Sequence, residues 1–317
     1  VPARVPIARS AILLALLVCI PAVGGDSVRQ PVAVPPAPPK PVTSPLPAMD
    51  ALAGPAGPAD LDVMTFNLRY AGNNTPNAWP QRRPVMRNLL TTERPDLIGI
   101  QEGLDGQLKE LDEDLGTRYR RIGRGRNSDG LGEHAAIYFD ETRLQPQRHG
   151  HYWLSSTPEV PGSISWGTAY IRMVTWVLFL DTETGRRFCA VNTHLDNHSE
   201  YARREGARLI TERLADCGPV PTVLTGDFNS PAGPDSVPYR QLTENAHLRD
   251  TWAAAARQGP VYATFHGYRP LMAGGPRVDW ILTSPDVTVL GALINTHHEG
   301  AQFPSDHLPV QARLRLG

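Results

Sequence analysis

The sequence predicts an α/β fold built on a mixed sheet, and three observations predict it. From Leu61 the chain reads strand, helix, strand, helix: Leu61–Phe66 alternates, Arg83–Glu93 repeats at helical spacing, Leu97–Ile100 is a short buried run, and Leu104–Leu115 is amphipathic. The middle then changes to strands joined by short turns, which requires antiparallel pairing within the same architecture. Finally, apolar runs along the whole chain stop abruptly at polar residues, as strands do where they open onto a site.

Each element follows from its own residues. Pro84 suits a first helical turn, and Val85, Met86, Leu89 and Leu90 share one face of the helix it would open. Pro95-Asp96 ends that helix. Leu104, Leu108, Leu111 and Leu115 define the second. Further strands are predicted over 119–123, 135–139, 144–154 and 171–181. The long loop between the last two carries Trp153 and Trp166, which suit either core packing or stacking on a ligand. A strand over 187–191 precedes a helix over 199–214, for which Ser199 is a fair cap. Val220–Asn229 is a buried strand opening into a site, 235–245 is helical in part, and the last strands cover 278–282, 287–294 and 308–316.

Composition bounds the function. A chain of 317 residues with 41% hydrophobic residues and a formal net charge of −1 carries no basic excess for nucleic acid. A divalent cation could still supply positive charge locally. Residues 1–26 read as an export signal: Arg4 and Arg9 precede the apolar run Ala11–Ile20, which is short for a membrane span, and small residues follow. Cys19 invites a lipoprotein reading, but Val18 before it is not the small residue expected. Residues 27–59 are rich in Pro and Ala and read as a semi-extended, disordered linker, leaving 60–317 as the folded domain. The chain is therefore expected outside the cytoplasm, secreted or tethered to the envelope through the linker. Cys189 and Cys217 are either a disulfide or two buried thiols. Nothing demands an obligate protein partner, and a monomer is expected.

Six strand ends or starts carry polar groups: Asn67, Glu102, His194, Asp227 with Asn229, Asp279, and Asp306-His307. Taken singly, each has an ordinary explanation as a turn, a cap or a core histidine. Asp279 is the exception, since a carboxylate inside an apolar strand needs a partner. Taken together they form a set of hard oxygen ligands and imidazoles without cysteine, suited to magnesium, calcium or manganese.

Their order carries a resemblance. Thr65-Phe66-Asn67, Pro95 to Glu102, Asn192-Thr193-His194-Leu195, Gly226-Asp227-Phe228-Asn229, Arg277 to Leu282 and Ser305 to Val310 resemble the ordered motifs of the endonuclease/exonuclease/phosphatase superfamily. The resemblance runs from about Leu61 to the end. Gly132-Glu133, Trp153 to Ser155 and Arg172 to Trp176 are similar to a bacterial branch of metal-dependent hydrolases.

The resemblance implies a four-layer α/β/β/α sandwich with two mixed sheets face to face, and a divalent-metal hydrolase of phosphate esters. It implies that Asn67 and Glu102 hold the cation, usually Mg²⁺ with Mn²⁺ or Ca²⁺ as alternatives, and that Asp306 is a further ligand. It also implies that His307 pairs with Asp279, that Asp227 with Asn229 orients or deprotonates the attacking water, and that Glu133 orients His194. Arg69 stands where some relatives have a further carboxylate ligand.

Arg126, Tyr170, Arg172 and His266 are candidate substrate contacts, the arginines for their bidentate fit to phosphate. A phosphodiesterase resembling an endonuclease is the leading expectation. A phosphomonoesterase on sugar or inositol phosphates, a phospholipid head-group hydrolase, and a non-catalytic extracytoplasmic binding protein on the same fold are the alternatives.

Overall fold

Two βαβ crossovers set the architecture. The structure is a computed structural model and describes residues 47–73 and 76–317; the export signal of residues 1–26 and the linker up to residue 46 lie outside the described residues. In the first crossover, β1 (Asp60–Asn67) runs through α2 (Trp79–Glu93) into the parallel strand β2 (Leu97–Gln101). In the second, β7 (Arg186–His194) runs through α4 (Glu200–Arg213) into the parallel β8 (Thr222–Asp227). Ser199 caps α4 by accepting the amide of Ala202 at 3.1 Å.

The remaining strands complete two mixed six-stranded sheets. The first holds β1, β2, β3 (Tyr119–Ile122), β4 (Ile137–Asp140), β11 (Thr288–Ile294) and β12 (Val310–Arg315), in the order β11-β12-β1-β2-β4-β3. The second holds β5 (Leu144–Trp153), β6 (Met173–Asp181), β7, β8, β9 (Arg249–Asp250) and β10 (Asp279–Thr283), in the order β5-β6-β7-β8-β10-β9.

Alternation along the strands makes the layers. Leu61 and Val63 of β1 pack inward against Phe179, Phe188 and Ile281 of the other sheet, while Met64 and Phe66 face outward onto Met86, Leu89 and Leu90 of α2. Leu108 and Leu111 of α3 (Asp105–Leu115) join that outer layer. On the far side, Leu209 and Ile210 of α4 cover Val191 and Leu224. The four-layer sandwich is therefore the observed arrangement.

At one rim the sheets approach through polar groups. Asn192 of β7 donates to the carbonyls of Ile100 (2.8 Å) and Ala136 (2.9 Å) in the other sheet. Its Oδ1 accepts Gln101 Nε2 (2.8 Å) and Thr225 Oγ1 (3.1 Å). Gly99 makes room: a Cβ there would sit 2.1 Å from Thr225 Oγ1 and 2.7 Å from Asn192 Oδ1.

Two sequence expectations change, and one open alternative is decided. The Pro/Ala-rich stretch is not a disordered linker to residue 59, because Ala48–Ala53 forms α1. Met49 is buried, and the buried Arg313 binds both Asp50 (2.7 Å) and Asp62 (2.8 Å), tying the stretch to β12 and β1. Pro84 lies inside α2, which begins at Trp79 with Pro80 in its first turn. The lost bond to the Pro80 carbonyl falls on an exposed face, where the carbonyl is open to solvent. Cys189 and Cys217 form a disulfide with Cα atoms 5.9 Å apart, joining β7 to the turn after α4.

Asn192→Ala should cost about 1–3 kcal/mol, since it removes both donors and the acceptor of the inter-sheet contact and takes the side-chain donor from the buried Ile100 carbonyl, while Ala136 O, Gln101 and Thr225 keep their bonds to Ile100 N, to Thr65 and Gly99, and to Val191. Chemical denaturation checks this; an unchanged midpoint would mean that the inter-sheet bonds do not hold the rim.

Candidate active site

Strand register assembles the site. Parallel pairing sets Asn67 beside Gln101, next to Glu102, and sets His194 beside Asp227. Antiparallel pairing sets Asp279, the first residue of β10, beside Asp227, the last of β8. Asp306-His307 leads into β12, which runs antiparallel to β1 and so starts at the rim where β1 ends. All six polar strand ends read from the sequence thus meet at one edge.

Asn67 bridges the two sheets: its amide nitrogen donates to Glu102 Oε1 at 3.0 Å and to Asp227 Oδ2 at 2.9 Å. Its Oδ1 accepts the Arg69 amide at 2.8 Å, and Glu102 Oε2 accepts the Tyr70 amide at 3.1 Å. Arg69 (φ 55°), Glu102 (φ 61°) and Asn229 (φ 47°) occupy the left-handed region, where strain concentrates at functional sites.

The two histidines differ. His307 Nδ1 lies 3.0 Å from Asp279 Oδ2, and its Nε2 lies 3.8 Å from Asp227 Oδ2. Burial opposes its charge, but Asp279 and then Asp227 outweigh burial and lift its pKa to about 10. His194 is held well below the usual histidine range by burial, then by the charges of Arg172, His307 and Arg126. Asn229 Nδ2 donates to His194 Nε2 at 3.0 Å, as a neutral ring requires, and to the Leu195 carbonyl at 3.1 Å. The 3.4 Å approach of His194 Nε2 to Asp227 is therefore not an ion pair. Burial, then Asp279, raises the pKa of Asp227 above the ordinary carboxylate range.

Glu102, His194, Asp227, Asn229 and His307 line a pocket of about 440 Å³ that also takes in Asp306, Asn197 and the exposed rings of Tyr70 and Phe265. Its oxygen-rich, cysteine-free lining fits a hard divalent cation. Glu102 and Asp306 open on the pocket and suit that role. Asn67 differs from the ligand the resemblance implies, because two flanking carboxylates draw the donor end of its amide and Oδ1 is already engaged. Among the described residues the tightest group of ligand types is Asp227, Asp279 and His307, with atoms within 4.8 Å of one another. Since His307 Nδ1 is bonded to Asp279, a cation there would have to break that bond, so the trio is better read as a hydrogen-bonded relay.

The other expected residues divide. Arg172, Arg126 and Glu133 line a small recess that shares Glu102 and His194 with the main pocket. Glu133 does not orient His194; it pairs with Arg126 at 2.6 Å, because a guanidinium attracts a carboxylate more strongly than a neutral imidazole does. Tyr170 is exposed, with the guanidinium carbons of Arg126 and Arg172 5.3 and 5.6 Å from its ring centre. His266 does not line the pocket. It is buried, its ring contacts the Ser305 carbonyl at 3.2 Å, and its amide donates to the Asp306 carbonyl at 2.9 Å, so it braces the loop from behind. Trp153 is buried and donates to the Arg126 carbonyl at 2.6 Å, and Trp166 packs against the outer layer. Neither tryptophan offers a stacking face in the pocket.

Sequence reasoning missed Asn192 and Gln101, although an amide directly after the apolar runs 188–191 and 97–100 was the available signal. Asp196 was missed too. It is buried and holds the tryptophan loop through Thr168 (2.7 Å) and Ala169 (3.0 Å), and the start of α4 through Ser199 (2.7 Å).

Comparison with known proteins agrees with this geometry. Residues 64–307 match the model of the Endonuclease/Exonuclease/phosphatase family. The solved endonuclease/exonuclease/phosphatase from Bacteroides vulgatus is 33% identical, with a TM-score of 0.76, over 81% of this chain and 99% of that one. A mannosyl-6-phosphatase of Bacteroides thetaiotaomicron is 31% identical, with a TM-score of 0.76, over 80% of this chain and 99% of that one. An uncharacterized protein of Acanthamoeba polyphaga mimivirus is 28% identical over 162 residues, which is 48% of this chain and 59% of that protein. The match thus spans less than two thirds of the viral protein. Motif order, sheet topology and these matches agree: the chain belongs to the endonuclease/exonuclease/phosphatase family, whose members are phosphoesterase hydrolases.

Proposed function

We propose that this protein is an exported, divalent-metal-dependent phosphatase acting on a phosphate monoester of a sugar or similar polyol. The observation that carries the reading is the meeting of Glu102, Asp227, His194 and the His307–Asp279 pair around one pocket, with a named sugar phosphatase among the relatives of similar length. The phosphodiesterase reading stands second, because a net charge of −1 supplies no basic surface for a polymer. The disulfide supports a location outside the cytoplasm.

Glu102 and Asp306 would hold the cation, with Mg²⁺ the first choice and Mn²⁺ or Ca²⁺ the alternatives; when bound, it offsets charge on the phosphoryl oxygens. The chain's own groups divide the proton work. His307 is already protonated and cannot serve as base, so Asp227 takes the proton of the attacking water. The His307 imidazolium, fixed by Asp279, faces the negative charge that spreads over the phosphoryl oxygens as water attacks phosphorus and the ester P–O bond breaks. His194, neutral and held by Asn229, positions the reacting group without adding charge.

Purified protein with magnesium should release phosphate from sugar phosphates faster than it cleaves bis(p-nitrophenyl) phosphate or single-stranded DNA, and chelation should abolish the activity. His307→Ala should lower kcat by about 10²–10⁴-fold. Inertness across the panel, or near-normal turnover by the variant, would sink the proposal. The pH profile should be bell-shaped. It rises as Asp227 loses its proton, above the ordinary carboxylate range, and falls on the alkaline side as His307 loses its own, at up to about 10. Asp279→Asn removes the charge that holds the imidazolium, so the alkaline limb should move to lower pH; an unmoved limb in kcat/KM would refute the assignment.

A further inference from the structure

Arg172 is a buried cation that no carboxylate of the described residues meets at hydrogen-bonding distance, although Glu133, Asp227 and Asp196 attract it from further away. Only 5% of its surface is exposed. Among the described residues its nearest carboxylate oxygen is Asp196 Oδ2, 4.0 Å from Nε. That oxygen is already engaged, accepting Thr168 Oγ1 at 2.7 Å and the Ala169 amide at 3.0 Å. Arg172 Nε is buried without a hydrogen-bond partner, and Nη2 has only the neutral Asn197 Oδ1 at 3.2 Å.

The neighbouring guanidinium does not help. Arg126 is taken by Glu133 and repels Arg172. A buried ion left in this state is costly unless something else supplies its counter-charge. Its position indicates what does. The recess that Arg172 lines shares Glu102 and His194 with the main pocket, so the guanidinium lies next to the pocket proposed to take the phosphoryl group.

A terminal phosphate brings three non-bridging oxygens and a charge of about −1.5 to −2 at neutral pH. A diester brings two such oxygens and a single charge. Glu102 would hold a cation that offsets phosphoryl charge and the His307 imidazolium would offer one donor, which leaves a monoester one more charged oxygen than a diester to be met by the protein. We infer that Arg172 binds the additional oxygen of a terminal phosphate, and that this contact makes the site select phosphate monoester dianions over diesters. The inference rests on the phosphatase reading above and adds the residue that would enforce it.

Arg172→Gln and Arg172→Met test it in the magnesium-loaded protein, with p-nitrophenyl phosphate and bis(p-nitrophenyl) phosphate as substrates. Both variants should lose about 10- to 100-fold in kcat/KM on the monoester, the span of one charge-assisted hydrogen bond, and much less on the diester. Arg172→Lys keeps the charge without the fork and should fall between. Calorimetric titration with inorganic phosphate and with dimethyl phosphate reads the contact without turnover, with and without magnesium. The wild type should prefer inorganic phosphate, and Arg172→Gln should erase most of that preference.

Thermal midpoints should be unchanged or raised in Arg172→Gln, since the substitution removes an unpaired buried charge; a large fall would make the residue a structural one and overturn the inference. Equal losses on both esters would overturn it while leaving the phosphatase reading intact. A wild type that turns over only diesters yet prefers inorganic phosphate through Arg172 would sink the phosphatase reading and spare the contact.

Discussion

The Asn192 amide is the constraint on which the site depends. Its two donors reach carbonyls of the opposite sheet, and its oxygen collects Gln101 and Thr225. Apolar packing between two sheets is non-directional and tolerates small sliding. Buried hydrogen bonds do not, because each must be satisfied in place. The polar contact therefore fixes the register of one sheet against the other at the rim where the reactive groups lie. His194 follows Asn192 by two residues and Glu102 follows Ile100 by two, so locking one pair of positions locks the other. Gly99 is part of the same device, since any side chain there would hold the sheets apart.

That alignment also creates the electrostatics. Asp227 stands between groups from both sheets: the Asn67 amide and the His307 imidazole, which leads into β12, on one side, and Asp279 and the His194 imidazole of its own sheet on the other. The two histidines end in opposite protonation states because their surroundings differ. His307 has a carboxylate on one nitrogen and a second near the other, which outweighs its burial. His194 is buried, feels the positive charge of Arg172, and accepts a hydrogen bond from an amide. One imidazole is thus a fixed cation and the other a neutral acceptor, a division of labour set by environment rather than residue type.

Much of this was legible in the sequence, for a physical reason. Asn67, Glu102, His194, Asp227, Asp279 and His307 interrupt apolar runs, and register carries strand ends of both sheets to one rim without any knowledge of loops. What failed depended on choices between competing partners in three dimensions. Glu133 shares a recess with a guanidinium and an imidazole and pairs with the guanidinium. His266 lies in a loop whose path decides whether it faces the pocket or the core behind it. Residues 48–53 look like linker by composition, and only the distant Arg313 gives them a place to dock.

The positive-φ residues connect these points. Arg69, Glu102 and Asn229 each follow shortly on a strand end at the rim, and a non-glycine residue in the left-handed region costs about 1–3 kcal/mol. An extended continuation at Glu102 would carry the carboxylate along the strand direction, away from the opposite sheet. The left-handed turn instead brings Oε1 onto the Asn67 amide that also holds Asp227. The strain is sustained by local bonds that form only in this geometry: Tyr70 N to Glu102, Arg69 N to Asn67, and Asn229 N to Asp227 at 2.9 Å. Each bond uses a backbone donor that strand pairing leaves free at a strand end. The same abrupt ends that make the strands readable in sequence therefore supply both the strained turns and the amides that hold them.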